Sequence, residues 1–179
     1  MNLKTNPNYI NYLPIIIIIL FFQFGYFFSN FNELKLTEIE IPLTNSNLFV
    51  KVLIQNTTFY LLIILGSLFF NISSLMLICY NSFAWGYSAK MTICQIGFIK
   101  TFFLIGPHIS IEIFWIIYST SLSFDLSLSL LSFFNNNISA SIFMISIRNK
   151  IKLFLYGYLV VLLGCIVEIF VSPLIYKLL

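Results

Sequence analysis

Residues 57–96 carry a single charged side chain, Lys90, across about forty positions. A stretch of that length can cross a hydrocarbon core of about 30 Å twice, or cross it once and continue along the interface. It can hardly belong to a water-facing globule. Soluble domains carry roughly 25% charged residues; this chain carries 8%, with 60% hydrophobic residues. Too little polar surface remains to cover a core in water. A transmembrane barrel would show separate segments of about ten residues alternating apolar and polar, whereas the apolar runs here are continuous. The expected fold is an all-α, polytopic transmembrane helical bundle, a single membrane domain over residues 1–179.

Punctuation within the runs sets the expected spans. Pro14 opens PIIIIILFFQFGYFF, and Pro in a first helical turn removes a donor that has no intrahelical partner there. This run exceeds a signal-peptide core, and no small-residue cleavage pattern follows it. Residues 32–47 hold Glu33, Glu38, Glu40 and Pro42, and read as a polar loop. Asn71 and Asn81 are candidate break points in the long middle region. Residues 119–132, STSLSFDLSLSLLS, alternate Ser with Leu or Phe. An open strand edge is too costly in lipid, so a helix end and a loop near Asp125 are expected. Five spans result, at about 13–31, 57–80, 101–120, 126–147 and 153–176, with a re-entrant or interfacial segment near 81–107.

Orientation follows from basic residues rather than net charge. With the N-terminus in the cytoplasm, the five-span arrangement puts Lys4, Lys90, Lys100, Arg148, Lys150 and Lys152 inside, six of the nine basic residues. The expected location is a bacterial cell membrane, crossed several times. No basic stripe with interleaved aromatics suggests a nucleic-acid partner. Cys79, Cys94 and Cys165 match no metal or redox spacing and read as small buried hydrophobes.

Ionisable residues inside such runs are the candidate functional groups. In GPHISIE, residues 106–112, the only histidine of the chain, His108, lies four residues before Glu112. On a helix the two share a face, about one turn apart. Glu168 is the only charge within the last span, and Asn56 and Asn81 add polar positions. Gly106-Pro107 and Pro173 are expected to kink or break their helices. If a helix began at Pro107, its dipole would favour a neutral His108.

Intramembrane ionisable residues usually face the bundle interior and find partners there. Three readings of the cluster stay open: hydrogen-bonding glue between helices, a proton- or ion-coupled site, or a catalytic or metal site. H-E-x-x-H and G-x-S-x-G are both absent. No metal, cofactor or enzymatic activity is expected.

The motifs, taken in order, resemble the stage II sporulation protein M family. IQNTTFYLLIILGSLFFNISSLMLICYNSFAWG is similar to that family's Asn-led span, mid-helix Gly and later Asn-Gly-x-x-x-Gly element, here Asn56, Gly66, Asn81 and Gly86. PHISIE resembles its Pro-His-Gly-x-x-Glu block, and VLLGCIVEIFVSP its Ala-x-x-x-Glu-x-x-x-(Ser/Thr)-Pro ending. The family's Gly residues after Pro-His and after the middle Asn are Ile109 and Ser82 here, so the resemblance carries no close backbone approach to those two positions. The chain resembles a divergent member.

What the resemblance implies is a non-enzymatic scaffold or assembly subunit in a multiprotein membrane complex. Its partners would be other membrane proteins, such as a cell-wall hydrolase complex or the components of an ABC-type exporter, and a homo-oligomer is allowed. The alternative it implies is a component of circular bacteriocin maturation, export or immunity. A small ion- or proton-coupled transporter subunit is the further alternative drawn from the residues.

Overall fold

A computed structural model describes residues 8–29 and 46–178 of the chain. The acidic segment with Glu33, Glu38 and Glu40, and the basic residue Lys4, lie outside the described residues. Among those described, the chain is helical throughout: α1 (Asn8–Phe28), α2 (Ser46–Leu65), α3 (Ile72–Ile96), α4 (Phe98–Phe134), α5 (Ala140–Ile166) and α6 (Ser172–Lys177). A 3-10 turn, Gly66–Phe69, extends α2, and a π-helical turn, Val167–Val171, joins α5 to α6. Three stretches are long and apolar enough to cross a membrane: Asn47–Phe69, Phe98–Phe134 and Ala140–Lys177. Tyr12–Phe28 is a shorter apolar helix. Large hydrophobic side chains such as Phe27, Met76, Tyr80 and Ile145 point outward. Such a surface would drive aggregation in water and suits acyl chains.

Side-chain pairs fix the helix directions. Tyr60 donates to the Phe154 carbonyl at 2.8 Å, and the Phe49 and Phe170 rings lie 5.8 Å apart, so α2 and α5 are antiparallel. Tyr118 donates to the Leu153 carbonyl at 2.9 Å, and the Phe133 and Phe143 rings stack at 4.8 Å, so α4 and α5 are antiparallel too. α4 is the central element and touches α1, α2, α3, α5 and α6. The buried core around it contains Tyr60, Ile63, Ile78, Trp115, Ile116, Val161 and Cys165.

α1 and α3 run parallel and approach backbone to backbone. A Cβ on Gly25 would collide with the Phe83 carbonyl, and one on Gly86 with the Phe22 carbonyl. Each glycine thus meets the carbonyl one turn before the opposite glycine. That symmetry is the mark of a parallel crossing, because Cβ vectors tilt toward a helix's N-terminus. Small residues allow such close approach in lipid, where packing must supply what the hydrophobic effect cannot. Beyond the crossing, Lys90 Nζ donates to the Ser29 carbonyl at 2.7 Å, placing a cation at the C-terminal end of α1.

Several boundaries differ from those expected. The residues at Asp125 do not end a helix, since α4 runs unbroken from Phe98 to Phe134. Its serines explain this. Ser119, Ser123 and Ser127 are buried, and their spacing of four makes one stripe on a helix face. The hydroxyls of Ser119 and Thr120 bond back to the Ile116 carbonyl at 3.0 and 2.6 Å. A Ser satisfied inside its own helix need not terminate it. The chain turns instead at Asn135–Asn137, where Asn136 takes φ 55°, and Ser139 caps α5.

Asn71 is the break expected of it. It sits at φ 66° between the 3-10 turn and α3, and its Oδ1 accepts from Ser123 Oγ at 2.6 Å. Asn81 does not break α3. The segment 81–107 reverses direction at Gly97, whose φ of 84° suits a residue without a side chain. Pro14 lies inside α1 rather than in its first turn. Pro107 likewise lies inside α4, neither breaking nor starting it. Gly106 before it has no Cβ to meet the proline ring, which relieves the usual clash with a helical conformation. Of the cysteines, Cys165 is buried, Cys79 is half-buried and Cys94 is exposed.

The hairpin of α4 and α5 outruns its neighbours. At 1.5 Å per residue, the 37 residues of α4 span about 55 Å, well beyond a hydrocarbon core of about 30 Å. Ser123 is level with the Asn71 turn, and the α4–α5 hairpin continues beyond it to the turn at Asn135–Asn137, past the ends of α2 and α3. There Lys150 Nζ donates to the Asp125 carbonyl at 2.8 Å and to Ser129 Oγ at 2.7 Å. Lys90 and Lys100 lie at the opposite end, Lys100 over the Tyr176 ring at 5.9 Å. Those of the counted basic residues that are described are therefore divided between the two ends.

Three substitutions test this packing. Gly86→Leu should lower the unfolding free energy by about 2 kcal/mol or more through overpacking, measured as the midpoint of detergent-induced unfolding. Gly164→Ala, whose new Cβ would make an ordinary 3.5 Å contact with Ile111, should stay near wild type. Ser123→Ala removes the donor from Asn71 and should cost about 1 kcal/mol, within the range of interhelical bonds in membranes, by the same measurement.

Candidate functional site

A cavity of about 520 Å³ lies between α2 and α3, with α4 as its back wall and Glu168 at its edge. Each helix contributes one face. From α2 come Val52, Gln55, Asn56, Phe59 and Leu62; from α3, Asn81, Trp85 and Ser88; from α4, Ile105, His108, Ile109 and Glu112. These positions recur at spacings of three and four, which keeps them on one side of a helix. All five polar residues singled out in the sequence, His108, Glu112, Glu168, Asn56 and Asn81, therefore face one space. They come from four separate elements and from positions up to 112 residues apart, Asn56 to Glu168.

The mouth opens sideways between α2 and α3, where Gln55, Thr58, Leu62 and Ser88 are exposed. The back is polar. Asn56 is buried and donates through Nδ2 to Cys165 Sγ at 3.6 Å. Its side chain is also the hydrogen-bonding neighbour of the Glu168 carboxyl. Glu112 has the Trp85 side chain as its hydrogen-bonding neighbour and lies close enough to Glu168 for the two carboxyls to interact electrostatically. Two carboxylates at such a site repel strongly unless a proton or a cation intervenes. The Leu104 carbonyl flanks the His108 ring. Even so, His108 Nδ1 and Asn81 Nδ2 are buried with no hydrogen bond of good geometry among the described residues. Buried polar atoms of this kind call for a partner.

Glu168 is placed by a backbone irregularity. The π turn Val167–Val171 is closed by the Ser172 N–H bonding to the Val167 carbonyl five residues back. Pro173 accounts for it: it has no N–H for the Ile169 carbonyl, and its ring would crowd that carbonyl in a regular helix. π turns often occur at functional sites. The expected break at Pro173 is thus a widened turn, and the helix resumes to Lys177.

Trp85, Gln55 and Cys165 join the site without having been singled out. Trp85 had a readable signal, since it lies one turn after Asn81 on the same face. Gly106 and Pro107 stand beside the site rather than interrupting it; Gly106 lines a neighbouring apolar pocket with Phe102. Among the described residues, no group of three or more His, Cys, Asp or Glu side chains is placed to hold a metal ion. What the cavity offers chemically is two carboxyls, an imidazole and several amides between aromatic walls, with no Lys or Arg in its lining.

The glycines and polar residues of the sequence motifs have separate tasks. Asn56, Asn81, His108, Glu112 and Glu168 line the cavity, whereas Gly86 sets the α1–α3 crossing and Gly66 packs against Ser74 at the α2–α3 turn. No curated protein and no solved structure gives a significant match to the chain. A family model does: that of stage II sporulation protein M matches residues 14–173, from the first apolar run to the proline of the π turn. This covers most of the chain and every residue of the cavity, and the chain belongs to the stage II sporulation protein M family.

Proposed function

We propose that this chain is a non-enzymatic scaffold or assembly subunit that holds another membrane protein within the bilayer of a bacterial cell. The observation that carries the reading is the sideways-opening polar cleft. A bundle that needed only itself would close this gap and pair its polar atoms. Here His108 Nδ1 and Asn81 Nδ2 are left without good hydrogen bonds behind a mouth rimmed by Gln55, Thr58, Leu62 and Ser88. A docked transmembrane segment would cover the mouth and supply the missing groups. Cell-wall hydrolase complexes and ABC-type exporters are the classes of partner considered. A cytoplasmic N-terminus is part of the proposal; its support is the basic cluster Arg148, Lys150 and Lys152 on the hairpin that projects at the same end as the start of α1.

The placement of Glu112 and Glu168 in one cleft lining favours a second reading, a transport, export or immunity component that handles an ion or an amphipathic peptide. Such a role would use the carboxyls as a titrating or cation-binding pair.

Affinity purification from membranes, with partners identified by mass spectrometry, separates the two. The scaffold reading expects a stoichiometric membrane partner that survives His108→Gln, which keeps hydrogen-bonding capacity. A chain that purifies alone, and whose Glu112→Gln variant inserts normally but abolishes flux or protection, would favour the second reading.

A further inference from the structure

We propose that the cleft between α2 and α3 receives a single ammonium or guanidinium group, presented from the bilayer by a Lys or Arg within a partner's transmembrane segment. This rests on the scaffold reading and names the chemistry of the partner it requires.

Four observations point the same way. Glu112 and Glu168 come from different elements yet sit close enough to interact. In a low dielectric they can both be charged only if a cation lies between them. The cleft lining holds no Lys or Arg, and its single basic group is the His108 imidazole. Its volume of about 520 Å³ falls in the range of sites for organic groups, about 300–1,000 Å³, and far exceeds one bare ion. Its walls include the Trp85 and Phe59 rings, whose faces attract organic cations.

Direction of entry decides the source. The rim residues Leu62 and Thr58 lie on the outer side of α2, within the apolar stretch Asn47–Phe69. A group entering there arrives from the acyl-chain region. A basic side chain on a bare transmembrane helix is costly at that depth, about 3 kcal/mol on insertion scales. The cleft offers that side chain two carboxyls, so the partner's cost and this chain's repulsion are relieved together. The burial of both charges makes the contact selective against neutral helices.

The test uses the full chain in lipid nanodiscs with a leucine-rich transmembrane peptide carrying one mid-length Lys and a terminal dansyl group. Association is read as energy transfer from the tryptophans. The Lys peptide is expected to associate at least about tenfold more tightly than the same peptide with Leu, and Glu112→Gln/Glu168→Gln should abolish that preference. Equal association of the two peptides, or a preference that persists in the double variant, overturns the proposal. Should the double variant elute differently from wild type, Glu168→Gln alone is read, and an unchanged preference overturns the proposal equally. Ethylammonium is expected to compete with the Lys peptide; if ethylammonium shifts tryptophan emission while the peptides show no difference, the site serves free amines and the proposal falls. The scaffold reading is judged separately: a native partner that stays bound to the double variant leaves that reading standing while this proposal fails.

Discussion

Hydrocarbon offers no hydrogen bonds, and that constraint organises the whole molecule. Every backbone amide must be paired within its own segment, which restricts the described residues to helices and tight turns. Every polar side chain must find a partner inside the bundle. Ser119 and Thr120 bond to their own helix, Tyr60 and Tyr118 reach across to carbonyls of α5, and Ser123 holds the Asn71 turn. The cleft is one place among the described residues where this rule is not fully met. His108 Nδ1 and Asn81 Nδ2 lack good partners there, and the two carboxyl residues Glu112 and Glu168 line the same space.

The helical class and the cluster of polar residues were legible in the sequence, because both follow from composition and helical spacing. His108 and Glu112 are four apart and had to share a face. Glu168, alone in its span, had few places to go but inward. The boundaries were harder for a definite reason. Alternation of Ser with Leu has a period of two, and any period of two contains a period of four. The same letters can therefore mark a strand or a buried stripe on a helix. Only the Asn71 turn and Ser74 of α3, both bonded to Ser123 of that stripe, decide for the helix. Asp125 then reads as a residue within α4 rather than a loop.

Directionality was not legible at all. The parallel crossing of α1 and α3 depends on Gly25 and Gly86, residues sixty-one positions apart. Neither glycine announces its partner. The placement of Lys90 and Lys100 opposite Arg148, Lys150 and Lys152 follows from such contacts, and a count of basic residues along the chain could not anticipate it. Pro173 is an intermediate case. Its effect on the carbonyl four residues earlier is predictable, but the response could have been a kink or an end. The protein widens one turn instead, and so places Glu168 at the edge of the cleft.

Whether the polar residues share a cleft set apart from lipid can be measured directly. In a variant with Cys79, Cys94 and Cys165 replaced, single cysteines at Ala84, which lines the cleft, and at Phe114, which is exposed on the outer surface, can be challenged with a small cationic thiol reagent in nanodiscs. The account predicts modification at Ala84→Cys at least about tenfold faster than at Phe114→Cys, since a thiolate forms and meets a cation readily only beside polar groups. Equal rates at the two positions, or faster reaction at Phe114→Cys, would contradict it.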